Sequence, residues 1–161
     1  MMWSSLFLRI ASVLTLLHGI AHTIGVVFGA DADPTPEETA VLQAMKSHRF
    51  EMMGSLRSFW DFFLGYGLFI SIAFLTQAIL FWWLASLARK AVREIRPITA
   101  CFSVAYLGFA ILAWNYFFLS AVILEGSIAI CLGAAYLALR SSRDAAGVRS
   151  AASPVRATLS P

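Results

Sequence analysis

A chain of 161 residues that is 60% hydrophobic, 14% aromatic and only 13% charged, with a mean hydropathy of +0.77, lies well outside soluble averages, where about a quarter of residues are charged. It reads as an integral membrane protein, all-α, with room for one compact domain of about four spans at roughly 20 residues each. No length is left for a second soluble domain, and the net charge of +3 is better explained by loop charges than by nucleic-acid binding.

The first apolar segment covers residues 6–28, interrupted by Arg9 near its start and by His18 and His22. A cleaved signal peptide is the rival reading, because Ala30-Asp31-Ala32 has the A-x-A form. A long apolar part, two histidines and the lack of a charged leader before Arg9 favour a retained span. Within it, Ala11, Thr15, His18, His22, Gly25 and Gly29 recur at spacings of four and three. Such a stripe of small and polar residues is expected to face protein, with Gly25 and Gly29 as a GxxxG pair.

The polar stretch that follows contains Thr35, Pro36 and Glu38, a capping box with proline at the first helical position. This predicts an amphipathic helix over residues 36–53, stopped by Gly54 and lying on the extracytoplasmic side. The second span is placed at 59–88 and ends in a basic stretch, Arg89, Lys90, Arg93 and Arg96, followed by Pro97. From Ile98 to Leu139 the strongly polar interruptions are Asn115 and Glu125. One helix of that length would measure about 63 Å at 1.5 Å per residue, about twice the hydrocarbon thickness, so the chain must turn. The turn is placed between Asn115 and Ala121, which divides the run into spans at 97–117 and 121–140. Residues 1–140 then form a single four-helix transmembrane domain, and the small, polar, aperiodic tail 141–161 is expected to be disordered.

Lysine and arginine gather after the second span and in the tail, whereas the first loop carries Asp31, Asp33, Glu37, Glu38 and Glu51. The positive-inside rule then puts both termini in the cytoplasm and the first loop outside. Trp60, Trp114 and Tyr116 on the outer side, with Trp3, Trp82 and Trp83 on the inner side, fit interfacial aromatic belts.

On this topology all four spans bring a polar or ionisable group to the outer half: His18, His22, Arg57, Asp61, Asn115 and Glu125. Intramembrane ionisable groups are costly and mark functional candidates. Histidines at i and i+4 have neighbouring side chains, and with one or two carboxylates they could hold a divalent metal such as zinc, manganese or iron. The competing reading is structural: neutral, hydrogen-bonded imidazoles that fix helix register. Arg57 and Asp61 equally read as an interfacial i, i+4 ion pair. Gly65, Gly67, Gly108, Gly126 and Gly133 read as helix-packing positions, suited to lateral contact with a second copy or with a larger membrane complex. No haem, nucleotide, nucleophile-elbow or CxxC motif is present.

The stretches LRIASVLTLLHGIAHTIG, VLQAMKSHRFEMMGSLRSFWDFFLGYGLFISI and IRPITACFSVAYLGFAILAW together resemble an uncharacterised family of small bacterial four-helix membrane proteins. The resemblance covers most of residues 7–139. In size and plan, though not in any motif, the chain is similar to DoxX-like proteins. The resemblance implies a four-span protein of the bacterial inner membrane and supplies no activity. The functional expectations are a small-ligand or metal site in the outer half, or a structural subunit of a larger complex.

Overall fold

The computed structural model describes residues 2–27, 29 and 34–151, with side chains up to Ser141 except that of Val27. Ala30, Asp31 and Ala32, and the tail from residue 152, lie outside the described residues. The elements in chain order are α1 (Met2–Val27), α2 (Pro36–Ser47), β1 (Arg49–Met52), β2 (Ser55–Ser58), α3 (Phe59–Leu87), α4 (Val92–Tyr116) and α5 (Leu119–Ala151). Four of these helices, α1, α3, α4 and α5, are long and apolar enough to cross a membrane.

Several expected boundaries move. The helix expected over 36–53 ends at Ser47, and an antiparallel hairpin follows it. Met52 pairs with Ser55, leaving Met53 and Gly54 as a two-residue turn with φ of 52° and 78°. Two positive φ values are the signature of a type I′ turn, whose twist matches that of the strands. The strand places Phe50 against Phe59 and Phe62, with ring centroids 4.8 and 5.9 Å apart, and this aromatic packing accompanies strand pairing where a helix was expected. The capping box itself is present: Glu38 N–H donates to the Thr35 hydroxyl at 3.3 Å, and Thr35 N–H donates to the Glu38 carboxylate at 2.8 Å. The backbone and side-chain bonds from Thr35 hold the Glu38 carboxyl below its usual range.

The third span starts at Val92, earlier than the expected residue 97, so Pro97 lies inside α4. Only Phe117 and Phe118 separate α4 from α5, within the expected turn. Helix α5 continues to Ala151, where disorder was expected from residue 141. Alanine and arginine favour extension of an existing helix, which needs no new nucleus, and the first proline beyond is Pro154.

The chain divides into two compact units. Among the described residues, the first contains 2–14 and 79–151. Its core includes Leu8 of α1, Phe81 and Leu84 near the end of α3, Ala88 just beyond it, Ile95 and Tyr106 of α4, and Ile128, Leu132 and Leu139 of α5. Tyr106 is fully buried, with Phe81 at 5.9 Å and Phe109 at 5.6 Å. Within this unit the Ser5 hydroxyl donates to the Ala85 carbonyl at 2.9 Å, and Ser103 to the Ala129 carbonyl at 3.2 Å. The second unit, residues 15–78, holds the later part of α1, α2, the hairpin and most of α3.

Candidate functional site

The polar groups of the second unit are organised by the buried face of α1. In that helix Ser4, Leu8, Ala11, Thr15 and His18 are buried, His22 and Val26 are half-buried, and Gly25 is exposed. The expected heptad-like stripe therefore holds as far as His22 and then shifts. A straight α-helix drifts about 20° per heptad from a 3.5-residue repeat, which brings Val26 inward and turns Gly25 away. A methyl group added at Gly25 would meet nothing within 4 Å.

Two other glycines create the close approach of α1 and α3 within this unit. A Cβ at Gly19 would stand 2.8 Å from the Cβ of Phe74, and one at Gly67 would overlap the side chain of Val26. With the backbones this near, Phe74 reaches both imidazoles, its ring centroid 4.4 Å from that of His18 and 5.8 Å from that of His22. His18 is buried.

His22 turns its Nε2 to the main-chain carbonyl of Gly67 at 3.1 Å, so Nε2 carries the proton. The same carbonyl oxygen lies 3.0 Å from the Ser71 hydroxyl. Ser71 is 2.8 Å from the Thr23 hydroxyl, which is 2.7 Å from the Gly19 carbonyl. Two hydroxyl protons thus serve three close contacts. Either Thr23 donates to Ser71 and Ser71 to Gly67, or Ser71 donates to Thr23 and Thr23 to Gly19. Both arrangements close a polar ladder between α1 and α3. An open groove of about 350 Å³ runs over it, lined by Leu16, Ile20 and Leu75 among others, with Thr23 and Ser71 as its hydroxyl groups.

The remaining expected site residues have local partners. Ser58 N–H donates to the Asp61 carboxylate at 2.8 Å, and Asp61 N–H donates to the Ser58 hydroxyl at 3.2 Å. This reciprocal pair caps α3 at its first turn, where a carboxylate also suits the helix dipole. Asp61 is exposed; the bonds from Ser58 are the main interaction of its carboxylate, and the charges of Arg49 and Arg57 add to it. Arg57 is exposed on β2 and donates to the Leu56 carbonyl at 3.3 Å. A second cavity of the same unit, about 420 Å³, is lined by Val26, Glu37, Val41, Leu42, Trp60 and Phe63 among others. The Lys46 ammonium lies 4.6 Å from the Trp60 ring centroid.

Asn115 and Glu125 belong to the first unit. Asn115 is exposed, and its amide donates to the Ile111 carbonyl of its own helix at 2.8 Å. Glu125 is only 6% exposed, on the face of α5 that also buries Ile128, Ala129 and Leu132. Among the described residues no group of three or more His, Cys, Asp or Glu side chains is placed to hold a metal ion. Of the other glycines expected at packing positions, Gly133 would bring an added methyl 3.4 Å from the Ser103 hydroxyl, while a methyl at Gly65, Gly108 or Gly126 would meet nothing within 4 Å.

Gly19, Thr23 and Ser71 are not among the residues that the sequence singles out. The available signal was G-x-x-x-S at Gly67 and Ser71, a small-xxx-small pattern opposite a histidine-threonine pair. Compared with protein-family models, curated proteins and solved structures, the chain matches none.

Proposed function

We propose that this protein is a non-catalytic four-span subunit of a larger membrane assembly, in which the histidine-bearing face of α1 holds helices together. The observation that carries this reading is the local use of the expected site residues. His22 serves the Gly67 carbonyl, Asp61 caps α3, Asn115 returns to its own helix and Arg57 stays in the hairpin. Side chains engaged in this way act as helix-helix and helix-end contacts. Gly65, Gly108 and Gly126, which have open space at the Cβ position, offer close approach to helices of a partner or of a second copy.

The same proposal places the chain in a bacterial inner membrane, as the family resemblance implies. Loop charge supports cytoplasmic termini and an extracytoplasmic α2, whose Val41 and Leu42 would turn toward the apolar cavity beside Trp60. Extraction in a mild detergent followed by native mass spectrometry tests the assignment. A partner or second copy recovered at fixed stoichiometry is the expected result, and recovery solely as a lone monomer would count against it.

A second reading, a small-molecule site in the outer half, draws on the cavity of about 420 Å³, where aromatic rings meet the carboxylates of Glu37 and Glu38. It requires a purified protein that carries a ligand lost in the Glu37→Gln or Trp60→Ala variants, both of which change the lining of that cavity.

A further inference from the structure

Helix α4 begins with Val92, Arg93, Glu94, Ile95 and Arg96. Arg93 and Arg96 stand at i and i+3, neighbours on one helix face, whereas Glu94 is rotated by about 100° from the first and 200° from the second. Within the same unit α5 brings Tyr136 to that face. Arg96 Nη2 donates to the Tyr136 hydroxyl oxygen at 3.2 Å, and its guanidinium carbon lies 5.1 Å from the ring centroid. Together with Val92, Pro97 and Ala100, these side chains line a cleft of about 310 Å³.

The chemistry of this cleft is one-sided. Among the described residues, Arg96 has the Tyr136 oxygen as its partner and no carboxylate pairs with either guanidinium. Because the Tyr136 oxygen accepts from Arg96, its own proton remains available to a further acceptor. Guanidinium N–H groups and a phenol O–H make a purely donating set, which matches a phosphate oxyanion. Val92, Pro97 and Ala100 provide apolar surface beside it. The cleft also lies at the end of a helix long and apolar enough to span the bilayer, the depth at which lipid headgroups sit. Arg89 and Lys90 precede it in the chain, and Arg140 follows Tyr136 by one helical turn, so positive charge surrounds it.

We propose that Arg93, Arg96 and Tyr136 bind the phosphate of an anionic phospholipid at the membrane face where α4 begins. The apolar side of the cleft takes the glycerol and upper acyl region, and the tyrosine proton donates to a phosphate oxygen. The arginine fork is suited to two oxygens of one phosphate in a way that a lysine is not.

The full chain, reconstituted in nanodiscs of phosphatidylcholine with or without phosphatidylglycerol and analysed by native mass spectrometry, tests this. Phosphatidylglycerol should remain bound to the wild type. Its retention should fall about fivefold in Arg93→Gln and about thirtyfold in Arg93→Gln/Arg96→Gln, from the attraction of each arginine for an anionic headgroup. Tyr136→Phe should lower retention while leaving the Arg93 and Arg96 charges in place. Arg93 is exposed and has no partner among the described residues, so the single variant reads the site without disturbing the fold. Equal retention by wild type and the Arg93→Gln variant would overturn the proposal. Displacement of the lipid by millimolar inorganic phosphate would overturn the lipid assignment in favour of free phosphate.

Discussion

His22 on α1 donates from Nε2 to the main-chain carbonyl of Gly67 on α3, 3.1 Å away, and Ser71 donates to the same oxygen in one of the two proton arrangements of the ladder. A carbonyl already bonded within its helix thereby becomes a junction between two helices. The histidine side of the junction is tested by His22→Phe, which keeps a ring and removes the donor, and should lower unfolding stability in detergent by about 1 kcal/mol. His22→Gln retains an N–H and should recover part of that loss. Equal stability of His22→Phe and wild type would contradict the bond.

Close approach at Gly67 depends on Val26. Gly67→Ala should destabilise by about 1–3 kcal/mol through overpacking against Val26, and Val26→Ala in the same chain should relieve part of it. Gly25→Ala, with open space at the methyl position, should stay within about 0.5 kcal/mol of wild type. The four-variant cycle, measured by denaturant unfolding, distinguishes a contact from a general glycine effect.

The hairpin turn carries strain at a non-glycine position. Met53 has φ of 52°, so Met53→Asn, which tolerates the left-handed region, should raise thermal stability. Gly54→Val should lower it by about 1 kcal/mol or more. A fall in the first variant, or none in the second, would exclude a type I′ turn.

The α2 cap should respond to acid. Because Glu38 has its folded carboxyl pKa lowered by the Thr35 bonds, its contribution is present above the ordinary glutamate pKa and is lost as pH falls through the lowered value. Carbon chemical shifts of residues 36–40 should therefore lose helical character on acidification below about pH 4. Glu38→Gln should flatten that dependence.

Four membrane-length helices and the Thr35–Glu38 cap were legible from sequence because both are local properties. Sustained apolarity over about 20 residues selects a span, and a capping box needs only residues three apart. The second cap, Ser58 with Asp61, has the same spacing but was masked by the equally local alternative of an Arg57–Asp61 pair. The hairpin was hidden because a Met-Gly turn is a weaker signal than Asn-Gly, and because Phe50 finds Phe59 and Phe62 only after the chain reverses.

The sequence by itself determined which segments are long and apolar enough to cross a membrane, since length and composition are local properties. It also marked His18 and His22 as exceptional. Only the tertiary structure decided what the imidazoles meet, because the partner of a side chain depends on how each helix is rotated about its own axis. A drift of about 10° per turn replaced Gly25 with Val26 on the buried face, and the close pass at Gly19 and Gly67 gave His22 a backbone carbonyl 45 residues away.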